Sequence, residues 1–184
     1  MTVLDRIRTT DTATTLRAGT LVLAAVAIAG TAVELAMERH WNGAVQLIPW
    51  FALAALVAAW ILTAWRPRRA TLRAARVLAA LVLLACVYGI WEHIESNLNA
   101  GWLDAFYATG WASLGTGTRW WYAITKTVGA APPLAPGVLA QVALLVLLAT
   151  WRHPAAAGST TIHSDQLLGR RMVGSENAGM RQVE

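Results

Sequence analysis

The sequence predicts an all-α polytopic membrane protein: a four-transmembrane-helix bundle of two helical hairpins with an aromatic-rich, extracytoplasmic cap loop. Apolar residues make up 57% of the 184 residues and the mean hydropathy is +0.47, too little polar surface for a soluble domain of this size. Apolar stretches of about 20 residues, the length that crosses a hydrocarbon core, recur along the chain. Arginines are concentrated beside alternate ends of these stretches, as in multi-pass membrane proteins.

The four predicted spans cover residues 18–37, 45–65, 76–96 and 134–151. They form one membrane domain, 18–153, between an N-terminal tail, 1–17, and a flexible C-terminal tail, 154–184. The first apolar run also resembles the core of a signal peptide. Cleavage there would leave three spans and put the C-terminal arginines outside, so we expect a retained first helix.

Charge predicts the orientation. Twelve of the fifteen Lys and Arg residues precede span one, lie between spans two and three, or follow span four; the others are Arg39, Arg119 and Lys126. The positive-inside rule therefore places both termini in the cytoplasm. Topology also accounts for the net charge of +5, so no nucleic-acid partner is predicted. The excess of Arg over Lys and the abundant Ala suggest a GC-rich bacterial genome, hence the bacterial cytoplasmic membrane.

Two pairs of segments look alike. "LIPWFALAALVAAWILTAWRPR" from Leu47 resembles "LAPGVLAQVALLVLLATWRHPA" from Leu134, and Gly-x3-Glu-x3-Glu from Gly30 corresponds to Gly-x3-His-x3-Asn from Gly89. Such similarity indicates two related hairpins about an axis along the membrane normal. Shared Leu/Ala composition alone is the alternative.

A polar layer is predicted near the outer membrane face. Glu34 lies seventeen residues after Arg17, and His93 lies seventeen after Arg76, about 25 Å up each helix. If spans one and three touch, Glu34 faces His93 and Glu38 faces Asn97. The candidate ligand or polar-cluster residues are Glu34, Glu38, Gln46, Glu92, His93 and Asn97.

Three roles are open for this layer: a structural clasp, a site for a divalent metal ion on Glu34, Glu38 and His93, or a proton or substrate site. The chain has no Glu-x-x-His, so it lacks the di-iron pattern. It also lacks a phosphate loop and a Gly-x-Ser-x-Gly motif. The single cysteine, Cys86, allows no disulfide framework.

We therefore expect a non-enzymatic accessory subunit or ligand-binding module. The alternative is a metal-binding or proton-coupled redox or transport protein using the same cluster. The expected partners are the lipid bilayer and either other membrane subunits or a second copy of the chain.

The outer loop, 98–133, is too long for a plain connection. Its two aromatic-rich stretches, "NAGWLDAFYATGWASLG" and "TRWWYAITKTVG", predict short amphipathic helices. Asn99 or Asp104 would cap the first helix and Thr118 the second. The loop is either a lid over a site or interfacial packing.

Overall fold

A computed structural model describes residues 3–156, with side chains from Thr12 onwards. Over this part the chain is helical and contains no strand. The helices are α1 (Val3–Met37), α2 (Ala44–Ala64), α3 (Arg69–Ala100), α4 (Thr116–Ile124) and α5 (Gly137–Thr150). The predicted C-terminal tail falls almost wholly outside the described residues. Arg152–Ala156, which belong to a second unit, include a short 3-10 turn from Pro154 to Ala156.

Three helices within the described residues are long and apolar enough to cross a membrane. These segments are Thr12–Met37, Ala44–Ala64 and Arg69–Leu103, of 26, 21 and 35 residues. The helix α5 is equally apolar but has only 14 residues, about 21 Å of rise, whereas a hydrocarbon core is about 30 Å thick.

The helices α1 and α3 lie apart, because each packs against α2 and α5 while those two also touch each other. Small side chains allow close approach at the centre: Ala59, Ala79 and Ala143 are fully buried beside Leu56 and Val146. The pairings of Glu34 with His93 and of Glu38 with Asn97 were expected only if spans one and three touch, and α1 and α3 are not among the main packing pairs. Hydropathy identifies the helices but does not say which of them are neighbours.

The outward faces of the long helices are apolar as well. Leu23 on α1, Phe51 on α2 and Leu84 on α3 are 61%, 72% and 67% exposed. Contiguous apolar surface on this scale is unusual for a protein in water, and it matches the lipid-facing side of membrane helices. A tryptophan on α2 joins two of these helices, since Trp60 Nε1 donates a hydrogen bond to the Leu21 carbonyl at 2.8 Å.

One end of the packed helices, which we call the arginine end, is held together at the last turn of α5. Arg76 Nε donates to Thr150 Oγ1 at 3.2 Å, and its Nη2 donates to the Thr150 carbonyl. Arg17 Nη2 donates to the Trp151 carbonyl at 3.5 Å. Cations at a helix C-terminus satisfy its unpaired carbonyls and favour its dipole. The cationic anchors of α1 and α3 therefore meet α5 at one level.

The opposite end, which we call the glutamate end, carries Glu34 and Glu92 and the long connection from α3 to α5. In this connection the first predicted amphipathic helix is wrong. Residues 101–115 form two 3-10 turns, Gly101–Leu103 and Trp111–Ser113, joined by a turn. Asp104 still caps locally, because its Oδ1 accepts from the amides of Phe106 and Tyr107 at 2.9 and 3.2 Å.

The second aromatic stretch does form a helix, α4. Its N-cap is Gly115 with no side-chain cap, so the predicted cap at Thr118 is wrong. Rings from this region pair in the connection and with α3: the Tyr107 and Tyr122 centroids lie 5.0 Å apart, and those of Trp91 and Trp120 lie 5.4 Å apart. The aromatic part of the connection thus packs against the end of α3.

Candidate functional site

The glutamate end encloses a cavity of about 430 Å³. All four long or apolar helices contribute to it, because α1 and α3 stand apart there and the connection before α5 fills one side only. The lining residues are Thr31, Glu34, Leu35, Glu38, His40, Val45, Gln46, Ile48, Pro49, Ala52, Ala85, Cys86, Tyr88, Gly89, Glu92, His93, Ser96, Ala131, Pro132, Ala135, Pro136 and Leu139. Five of the six candidate residues are therefore in one lining, and Asn97 is not.

The wall from α1 carries two carboxylates. Glu34 lies in the last turn of α1, and Glu38 directly follows the helix with its amide bonded to the Glu34 carbonyl at 2.9 Å. Both side chains are exposed. Neither side chain has a hydrogen-bond or ion-pair partner among the described residues. A clasp built on these two glutamates would need such partners, so the structural role expected of them has no support in their contacts.

The wall from α3 carries Glu92 and His93. Tyr88, one turn earlier on α3, also lines the cavity, and Glu92 is its nearest electrostatic partner. His93 Nδ1 lies 2.6 Å from the carbonyl oxygen of Pro132. Because a carbonyl only accepts, Nδ1 carries the proton, and Nε2 is the acceptor in the neutral ring. His93 is thus tied to the connection and not to Glu34.

The start of α2 forms a third side, and its polar groups are partly used in local structure. Gln46 Oε1 accepts from the amide of Asn42 at 2.8 Å, which caps the turn before α2. Trp50 Nε1 donates to the carbonyl of His40 at 2.8 Å. These bonds fix the α1–α2 turn and leave the Gln46 amide group and the His40 ring at the cavity.

The base of the cavity is apolar and ends on the packed core. Ala52, Cys86 and Leu139 are 7%, 4% and 6% exposed and line it. Further towards the arginine end, Leu56 and Val82 belong to the same buried cluster. The packed core therefore closes the cavity on the side of the arginine end.

The structure assigns Asn97 a different place from the predicted one. It is fully buried, and its Nδ2 donates to the carbonyls of Ala123 and Ala131 at 3.1 and 2.7 Å. Its Oδ1 accepts from the amide of Ala131 at 3.0 Å. The amide side chain thereby replaces missing backbone partners in the connection and fixes its return to α5. Asn97 is a structural residue beside the cavity.

The divalent-metal prediction for Glu34, Glu38 and His93 gains no support from the arrangement of the described residues and stays a prediction. Within residues 12–156, no three His, Cys, Asp or Glu side chains come close enough to hold one metal ion. The reason is the separation of α1 from α3: the two glutamates stand on one wall, and the histidine on the other is held by Pro132.

The lid alternative also fails for the aromatic residues of the connection. Its last part lines the cavity through Ala131, Pro132 and Ala135, whereas residues 98–130 do not. Trp111 instead covers α3, where an added Cβ at Gly101 would lie 2.3 Å from the indole. The segment 131–136 could not be found from the sequence, because the side chains of proline and alanine have no polar group. Its contribution comes from backbone carbonyls, which every residue has.

Comparison with known proteins identifies no family for this chain. No protein-family model matches the chain, and no curated protein or solved structure is significantly similar to it.

Proposed function

We propose that the chain is a non-enzymatic, multi-pass protein of the bacterial cytoplasmic membrane, a four-helix bundle of two hairpins that binds a small ligand at its outer face. The observation that carries the proposal is the cavity at the glutamate end, with its unpartnered carboxylates. Cavities of about 300–1,000 Å³ with apolar walls and a few polar groups are typical small-molecule sites. Glu34, Glu38, Gln46, Glu92 and His93 are the proposed binding groups.

A fourth crossing is supported by the two ends of the last segment. Pro132 is hydrogen-bonded to His93 and Thr150 is hydrogen-bonded to Arg76. The segment 132–150 therefore extends along α3 from His93 to Arg76. Those seventeen residues of α3 rise about 25 Å. The proline-containing turns before α5 thus add the height that 14 helical residues lack.

The proposed orientation follows from charge. The arginine end is cytoplasmic by the positive-inside rule, and the glutamate end faces outwards. Reporter fusions test this: a phosphatase fused after Glu184 should be inactive and a fluorescent protein fused there bright. An active phosphatase would place the C-terminus outside and would overturn the proposed orientation.

Removal of a carboxylate should lower the stability of the protein if the carboxylate is part of a structural clasp, but not if it is part of a ligand site. Because Glu34 has no partner, we expect Glu34→Gln to change the free energy of unfolding by less than about 0.5 kcal/mol. Reversible unfolding in mixed micelles measures it. A loss above about 2 kcal/mol would show that Glu34 is a structural residue, contrary to the proposal.

Access to the cavity can be measured at Cys86, the only cysteine of the chain and part of the cavity base. We expect the small neutral reagent 2-hydroxyethyl methanethiosulfonate to label Cys86 in the folded protein. Ala135→Phe should slow this labelling at least about tenfold, because Ala135 lines the cavity. Ala54→Phe is the matched control, since Ala54 is exposed and outside the lining.

No labelling of folded wild-type protein, or equal rates in both phenylalanine variants, would mean that no ligand-sized cavity is reachable, and the proposed function would fall.

A transport path through one copy has little support. The buried cluster below the cavity consists of apolar side chains such as Leu56, Val82 and Val146, and a conducting path needs polar steps. Binding from the outer side is therefore favoured over transfer across the membrane.

A further inference from the structure

The charge of the cavity points to the class of its ligand. Three carboxylates line it, Glu34, Glu38 and Glu92, and no Lys or Arg is among the lining residues. Glu34 and Glu38 have no partner in the described part of the chain. Carboxylates at membrane depth are costly unless a cation, a proton or water compensates them, so the cavity offers uncompensated negative charge to whatever enters.

The arrangement of these groups disfavours a single metal ion as that cation. Glu34 lies on α1, Glu38 directly after it and Glu92 on α3, and these two helices are not a main packing pair. No three potential metal ligands converge among residues 12–156. A bare metal ion thus finds no set of three protein ligands among these residues, whereas a larger organic cation can contact both walls.

The other residues that line the cavity indicate the chemical character of the rest of the ligand. Leu35, Ile48 and Leu139 provide apolar surface between the carboxylates and the core. Tyr88, which lines the cavity one turn before Glu92, adds an aromatic ring of the kind that binds ammonium groups. An apolar body can occupy the base of the cavity while its charge stays near the glutamates.

We propose that the cavity binds organic ammonium ions that carry an apolar body. This inference rests on the proposed ligand-binding function and specifies its ligand class. Glu34 and Glu92 supply the charge from opposite walls, and the apolar base supplies desolvation. Attraction between the ammonium and the carboxylates is strengthened there because the surrounding protein and lipid have a lower effective dielectric than water.

Charge selectivity at Cys86 tests the inference. We compare the cationic reagent 2-(trimethylammonium)ethyl methanethiosulfonate with the anionic 2-sulfonatoethyl reagent, each normalised to its rate with 2-mercaptoethanol. Normalisation and the use of one thiol remove the intrinsic reactivity of Cys86 from the ratio. We expect the cationic reagent to be favoured at least about tenfold, the factor equivalent to 1.4 kcal/mol.

The preference should depend on the lining carboxylates alone. In the double variant Glu34→Gln/Glu92→Gln we expect the ratio to fall towards one, with Glu38 left as the third lining carboxylate. Glu95→Gln is the matched control, because Glu95 lies on α3 near Glu92, accepts from Trp91 Nε1 at 3.1 Å and does not line the cavity. An unchanged rate with the neutral reagent shows that each variant is folded.

Equilibrium binding provides the second measurement. Tetraphenylphosphonium should protect Cys86 from the neutral reagent in the wild type and lose at least about tenfold in affinity in the double variant. Tetraphenylborate, of the same shape and opposite charge, should not protect it.

The outcomes separate the two claims. Neutral labelling without charge preference, or equal protection by both tetraphenyl ions, would overturn the cation inference and leave the cavity as a binding site. Failure of neutral labelling in the wild type would overturn the proposed function itself.

Discussion

Replacement of Asn97 by leucine should detach the connection between α3 and α5. The substitution removes three hydrogen bonds, to the carbonyls of Ala123 and Ala131 and from the amide of Ala131. Asn97 is fully buried, so water does not readily replace the lost partner. A buried polar group left unpaired costs about 1–3 kcal/mol, and with the lower value for each of the three groups the loss is about 3 kcal/mol.

Hydrogen exchange read by mass spectrometry measures this local loss. Opening of the connection exposes its amides, and about 3 kcal/mol corresponds to exchange about 100-fold faster in peptides covering residues 123–131. Asn99→Leu is the matched control, because Asn99 is exposed and has no hydrogen-bond partner among the described side chains. Acceleration below about threefold in Asn97→Leu would refute the assignment of Asn97 as the group that holds the connection.

Two further predictions concern packing. Gly129 has φ +78°, and an added Cβ would lie 2.2 Å from Asn97 Oδ1, so we expect Gly129→Ala to lower the free energy of unfolding by at least about 2 kcal/mol. Gly117→Ala is the control, because a Cβ added at Gly117 meets no heavy atom within 4 Å, and it should raise the free energy of unfolding by up to about 1 kcal/mol. Both variants are measured by reversible unfolding. Equal effects would mean that the close approach of Gly129 to Asn97 does not influence stability. Trp60→Phe removes the donor to the Leu21 carbonyl and should cost about 1 kcal/mol in the same assay, and an unchanged value would mean that the bond contributes nothing net.

The helices themselves were predictable from hydropathy, and their ends less so. The second helix was predicted at 45–65 and runs from Ala44 to Ala64. The third, predicted at 76–96, runs from Arg69 to Ala100, because arginine and alanine favour helix where hydropathy has already fallen. The first begins at Val3 for a related reason: hydropathy marks the apolar part of a helix, whereas the backbone continues beyond it.

The candidate site was predicted by residue type but not by pairing. Periodicity placed Glu34 with Glu38 on one helix face and could not reveal that α1 and α3 lie apart. It also gave no reason to separate His93 from Asn97, which share a face of α3. The decisive partners are the backbone groups of Ala131 and Pro132, and no side-chain pattern records the path of a connection.

The bonds at both ends of α5 bear on how the protein is made. A 14-residue helix is a weak signal for an insertion machinery that recognises about 20 apolar residues. Arg76 and His93, which bind the two ends of the segment 132–150, are both on α3. Since α3 is synthesised first, its docking groups are already in the bilayer when α5 emerges. Biogenesis of the proposed fourth crossing therefore depends on a finished neighbour, and defects at either α3 residue would appear first as failed insertion.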